Sequence, residues 1–159
     1  MTLQDQTRQS LSALGTFSGS AQTITAADGD LKLTCELAAL EALGCELVRL
    51  NVESPTLAGA SADKLKKIAT TLSGRLTYLM EPISPIEVDQ QGCVVQLRSS
   101  PPQRNDDGAI YYELLVRRGG ELTLARYRKV AGQDRQSVAA QLTREVLLRL
   151  VEDFANALA

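Results

Sequence analysis

The sequence predicts an α+β domain, an antiparallel sheet with helices at the start, middle and end of the chain packed on one of its faces. Three observations carry that expectation. Runs of alternating apolar residues are separated by short turns rich in Gly and Asp, which join neighbouring strands as hairpins. Apolar stripes of helical period stand before, between and after those runs. The chain has 159 residues, 44% of them hydrophobic, and at that size it can bury roughly two thirds of the surface its unfolded form exposes. Residues 1–159 are therefore read as one domain with a single core.

The opening segment predicts a short helix, because Leu3, Thr7, Leu11 and Leu14 share a face. Thr2 can cap it with Asp5 at the capping-box position, and Gly15 ends the pattern. After a Gly/Ser stretch, residues 22–26 and the alternating run from Leu31 flank Asp28-Gly29. An Asp-Gly two-residue turn would pair Ala26 with Leu31 and Ile24 with Leu33. From Leu31 to Ala39 alternation favours a strand, although Leu33, Leu37 and Leu40 also fit a helix. Residues 45–52 return as a further strand after a turn near Gly44, placing Cys35 against Leu50 and Leu40 against Cys45, and Pro55 stops it.

Ser61 can cap a middle helix whose apolar positions Leu65, Ile68, Ala69 and Leu72 are spaced i, i+3, i+4, i+7, with Lys64, Lys66 and Lys67 outside. Residues 76–80 read as a strand, and Pro82 and Pro85 mark an edge or a bend. Residues 86–89 and 93–97 flank a Gln-Gln-Gly turn as a hairpin. Residues 99–108 are almost all turn formers and charges and read as an exposed loop. A last hairpin joins 109–117 to 122–129 across Gly119-Gly120. Val138, Leu142, Val146, Leu150, Phe154 and Leu158 then recur every four residues, predicting a final helix that starts within 134–137.

The side-chain inventory excludes several chemistries. The chain has no histidine and no tryptophan, which removes imidazole-based triads and the commonest metal ligand. Cys35, Cys45 and Cys93 are odd in number, far apart and outside any C-x-x-C pair. They read as buried apolar side chains in a reducing compartment rather than as a metal site. No glycine run matches a phosphate-binding loop, and Asn105-Asp106-Asp107-Gly108 lacks the terminal Glu of a calcium loop, having Leu114 there. No catalytic residue, metal or cofactor is expected. Net charge is −2, with seven acids against three bases in residues 1–60 and near balance afterwards. That distribution speaks against nucleic acid, whose binding needs many phosphate contacts. The first residues lack the basic start and apolar core of a signal peptide, and no stretch reaches the ~20 apolar residues of a membrane span. The expectation is a cytoplasmic protein that binds neither membrane nor nucleic acid.

The closing hairpin offers the candidate site. A two-residue Gly119-Gly120 loop would set Glu113 opposite Arg126, Tyr112 opposite Tyr127 and Tyr111 opposite Arg128. One face would then be core, with Ile110, Tyr112, Leu114, Val116, Ala125 and Tyr127. The other would carry Tyr111, Glu113, Leu115, Arg117, Leu122, Leu124, Arg126 and Arg128, the mixture of Tyr, Leu and Arg that interfaces favour. The plainer reading is a solvated sheet face with one cross-strand ion pair. On the functional reading it is a protein interface, with binding of a small acidic ligand as the alternative.

In the order of its elements, residues 1–159 resemble the type III secretion chaperone-like fold, a family of small, often acidic, dimeric cytoplasmic domains. The four or more strands after residue 75 exceed the two that this pattern implies. The leading expectation is a non-enzymatic protein-binding, assembly or chaperone-like domain that forms a homodimer. The alternative is a small acidic-ligand-binding domain, or an enzyme without histidine, using Arg126, Arg128 and Glu113.

Overall fold

The computed structural model describes residues 1–118 and 120–159. Helix α1 (Leu3–Leu14) precedes strands β1 (Gln22–Asp28), β2 (Leu31–Leu40) and β3 (Gly44–Glu53). After α2 (Ala62–Arg75) come β4 (Ile83–Asp89), β5 (Val94–Ser99), β6 (Gln103–Asn105), β7 (Gly108–Arg117) and β8 (Glu121–Lys129). Two short strands, β9 (Gln136–Val138) and β10 (Ala140–Thr143), lead into α3 (Arg144–Leu158). All strands belong to one antiparallel sheet with the order β1-β2-β3-β8-β7-β5-β4, to which β10 adds on β3, β9 on β8 and β6 on β7. The α+β expectation holds, and so does the strand reading of residues 31–40.

The sheet register explains where the core sits. Cys35, Leu50, Leu124, Leu114 and Leu97 are successive cross-strand partners over five strands. Leu33, Val52, Leu122, Val116 and Val95 form the next such row. Every one of these side chains is buried. They face a layer built from Leu3 and Leu11 of α1, Leu65, Ala69 and Leu72 of α2, and Leu147, Leu150, Val151 and Phe154 of α3. Helix α3 touches both other helices as well as β3, while α1 packs on β1 and α2 on β4 and β5. Apolar area leaves water from two closed faces at once, which is the main driving force for a fold of this kind.

Two of the three helix starts read from sequence are present. Thr2 and Asp5 form the reciprocal capping box, and Ser61 accepts from the Lys64 backbone.

Several expectations change. Residues 76–79 form a 3-10 turn extending α2 rather than a strand, with Leu76 and Leu79, spaced i, i+3, both buried. Within the supposed loop, Gln103–Asn105 pairs with Gly108–Ile110 around an Asp106-Asp107 turn. The last helix begins at Arg144, capped by Thr143, because residues 136–143 are extended along β8 and β3 instead.

Two registers also differ. In the first hairpin Asp28 faces Leu31, so the loop is Gly29-Asp30, with Gly29 at φ 59° in the position where a type II′ turn requires glycine. That shift is of two residues, so Ile24 and Ala26 stay on the core face. In the last hairpin Val116 faces Leu122 and Tyr112 faces Arg126. The connection is thus three residues rather than two, with Gly120 at φ 107° and its N–H donated to the Arg117 carbonyl at 3.1 Å. Gly119 of the expected turn lies outside the described residues. This shift is of one residue, and it turns β8 over relative to β7.

Strand β1 is an edge. Since Asp28 and Leu31 close the hairpin, the backbone groups of Thr23, Thr25 and Ala27 point away from β2. Those of Ala27 are occupied by one side chain: Gln6 Nε2 donates to the Ala27 carbonyl at 2.6 Å and the Ala27 N–H donates to Gln6 Oε1 at 3.2 Å.

Candidate functional site

The turned-over strand divides the eight expected site residues between two faces. Tyr111, Glu113, Leu115 and Arg117 lie on the outer face of the sheet, away from the helices, and Leu122, Leu124, Arg126 and Arg128 on the helix side. Leu122 and Leu124 are wholly buried core residues. Tyr127, expected in the core, faces outward opposite Tyr111, their ring centroids 6.1 Å apart.

Arg126 is consequently structural. Its Nη2 donates to Glu81 Oε2 at 2.8 Å and to Gln103 Oε1 at 3.1 Å, and its guanidinium lies 4.3 Å from the Tyr112 ring centroid. Ser99 Oγ donates to Glu81 Oε1 at 2.6 Å and accepts from the Tyr112 backbone N–H at 2.8 Å. The pair lies largely out of water with one donor on each Glu81 oxygen, while Arg126 Nη1 is buried without a hydrogen-bond partner among the described residues. Burial, the leading cause, raises the Tyr112 phenol above its ordinary value.

On the outer face the organising group is Glu113, 3% exposed although it lies on the side away from the helices. Its Oε2 receives Arg135 Nη1 at 2.6 Å and Gln96 Nε2 at 2.8 Å, with Arg98 Nε at 3.6 Å. Gln96 and Arg98 come from β5, whose cross-strand partners are Leu115 and Glu113. Arg135 arrives from the segment between β8 and β9 and covers the Tyr127 ring at 3.9 Å, while Arg98 lies 4.9 Å from the Tyr111 centroid. Its hydrogen bond to Glu113 is the main reason the Arg135 guanidinium holds its proton even more firmly than usual. The result is a ridge of two arginines and two tyrosines locked around one carboxylate.

Open clefts flank the ridge. One, of about 310 Å³, is lined by Arg49, Arg117 and Arg135, by Glu113 and Glu121, and by Thr34, Asn51 and Thr123. The other, of about 520 Å³, is lined by Arg98, Arg104 and Lys129 with Tyr111, Ile86 and Pro102. Sequence reasoning missed Arg98, Arg135, Arg49 and Tyr127. The alternation of Gln96 and Arg98 was a usable signal, whereas Arg135 belongs to a connection whose course no local pattern dictates.

Among the described residues no group of three or more Cys, Asp or Glu side chains is arranged to hold a metal ion, and no helix is long and apolar enough to cross a membrane. The three thiols are free and buried. Burial pushes Cys35 up to about 12 and Cys45 up to about 11, the latter against the pull of Arg144. Neither is a nucleophile at neutral pH. Comparison with protein-family models, with curated proteins and with solved structures finds no match for this chain.

Proposed function

We propose that this chain is a non-enzymatic protein-binding or assembly domain of the chaperone-like kind, working in the cytoplasm through the outer face of its sheet. The observation that carries this reading is the ridge of Arg98, Arg135, Tyr111 and Tyr127 around Glu113, set between open clefts rather than inside an enclosed cavity. Tyr111 is itself buried under Arg98, so the groups presented to a partner are Arg98, Arg135 and the half-buried Tyr127, residue types on which partner binding most often depends. Their geometry is fixed beforehand by the carboxylate, which lowers the entropy lost on association. Three free buried thiols are compatible with a reducing compartment.

The homodimer expectation rested on Leu115, Leu122 and Leu124 forming an exposed patch, and two of those three are inside the core. A second copy is therefore one outcome of the test rather than its premise. A photo-crosslinking side chain at Leu115 or Thr123 should give partner adducts in native lysate, and the same group at Lys67 of α2 should not. Adducts confined to Lys67 would place the working surface on the helices instead.

In the 310 Å³ cleft Arg117 is paired with Glu121 and Arg135 with Glu113, both of which also line it, so the small-acid alternative rests on Arg49. Heat of binding measured with di- and tricarboxylates, and its loss in Arg49→Ala, would favour that reading.

A further inference from the structure

Deepening that reading of the outer face, we propose that its 520 Å³ cleft binds an acidic peptide segment with an apolar side chain between its carboxylates. The cleft is rimmed by Arg98, Arg104 and Lys129, and among the described residues no acidic side chain lines it. Asp106 and Asp107 stand in the adjoining β6–β7 turn but do not reach the lining. Arg104 forms no ion pair among the described residues. Its volume lies within the roughly 300–1,000 Å³ range of ligand sites.

The apolar component has its own structural cause. Between Pro85 and Glu87 the β4–β5 register slips, so Ile86 has no partner on β5. A bulge of this kind re-aims a side chain out of the ladder. Ile86 is 48% exposed, a large aliphatic group held at an edge strand and lining the cationic cleft together with Pro102. The cleft floor also depends on Gly108, at φ 131°, where any Cβ would collide with the Lys129 carbonyl. That glycine lets the end of β8 close against the β6–β7 hairpin and brings Lys129 to the rim.

Arg104 and Lys129, with Arg98 already held by Glu113 and the Tyr111 ring, set positive charge around an apolar centre and complement a chain whose carboxylates flank a leucine or similar residue. A nucleic acid is a poorer match, because affinity there grows with many phosphate contacts and stacked bases, and the single ring here, Tyr111, already lies under Arg98.

The test uses the full chain and a fluorescein-labelled peptide, Gly-Asp-Glu-Leu-Glu-Asp-Gly, read by anisotropy. Saturable binding is expected, weakened at least about tenfold by the Asn/Gln version of the peptide, by Arg104→Glu and by Lys129→Glu. Ile86→Ser should weaken the leucine peptide and leave an alanine version unchanged. Lys67→Glu, an equal charge change on the helix layer, should bind as the parent does. Both rim side chains are exposed, so the variants keep their melting temperature, which is checked alongside.

No saturable binding, equal loss in Lys67→Glu and Arg104→Glu, or tighter binding of a labelled oligonucleotide than of the peptide would overturn the proposal. Crosslinked adducts at Leu115 that persist in the Arg104→Glu/Lys129→Glu variant would sink the cleft and leave the outer-face reading standing. Peptide binding with adducts only at Lys67 would do the reverse.

Discussion

Arg126 offers the sharpest test of the β7–β8 register. With β8 in the expected register it is an exposed arginine, and Arg126→Ala should then change stability by no more than about 1 kcal/mol. In the structure its side chain and that of Glu81 are 10% and 17% exposed, and breaking such a buried pair costs about 3–5 kcal/mol because one charge is left uncompensated. Glu81 keeps the hydrogen bond from Ser99 and some access to water, which lowers the expected loss to about 2–4 kcal/mol. Urea unfolding followed by far-ultraviolet circular dichroism measures it, provided the denaturant slope is unchanged. A double-mutant cycle with Glu81→Gln should return a coupling of about 1–3 kcal/mol. Arg126→Met keeps the stem over the Tyr112 ring and so reports the charge separately from the packing. A loss below about 1 kcal/mol with no coupling to Glu81 would show that β8 presents its other face to the helices.

Further outcomes follow from the same geometry. Leu124→Ala, at the centre of the five-strand row, should cost about 2–5 kcal/mol, and Leu115→Ala on the outer face less than half as much. Ellman's reagent should label Cys35 and Cys45 only as fast as the protein unfolds, and rapid labelling of either in the folded state would contradict their burial. Both thiols have folded values above the ordinary 9.0. Their contribution to stability is therefore full below about pH 9 and is lost as pH rises towards 11–12, which stability measured against pH in a Cys35→Ala/Cys45→Ala variant should flatten. Gly108→Ala should destabilise by more than about 2 kcal/mol through both strain and collision, whereas Gly74→Ala, with open space at its Cβ, should be neutral or stabilising.

What the sequence could show was set by the range of the interactions involved. Helix caps such as Thr2 with Asp5, and stripes such as Leu65, Ile68, Ala69 and Leu72, are local, and they were legible. The Leu31–Leu40 strand was legible because its alternation outweighed a competing helical spacing. Hairpin registers were not, because Asp28-Gly29 and Gly119-Gly120 mark a turn without fixing its length. The two slips had unequal effects: a shift of two residues kept Ile24 and Ala26 in the core, while a shift of one exchanged Tyr127 for Arg126. The start of α3 was misplaced because Val138 and Leu142 continue its four-residue period, although residues 136–143 gain more by pairing with open positions on β8 and β3. Arg135 reaches Glu113 only through that non-local pairing, so one of the ridge's two arginines was invisible from spacing alone.

The amide of Gln6 lends Ala27 what a neighbouring strand would otherwise supply, one donor and one acceptor at the right separation. A side chain can thus end a sheet that the backbone alone would leave able to grow. With Gln6→Leu the outward groups of Thr23, Thr25 and Ala27 would form one uninterrupted template, and a passing extended chain could dock along it. The folded state would lose little, but solubility at high concentration and on long storage would fall. This glutamine protects the population of molecules more than it protects any single one.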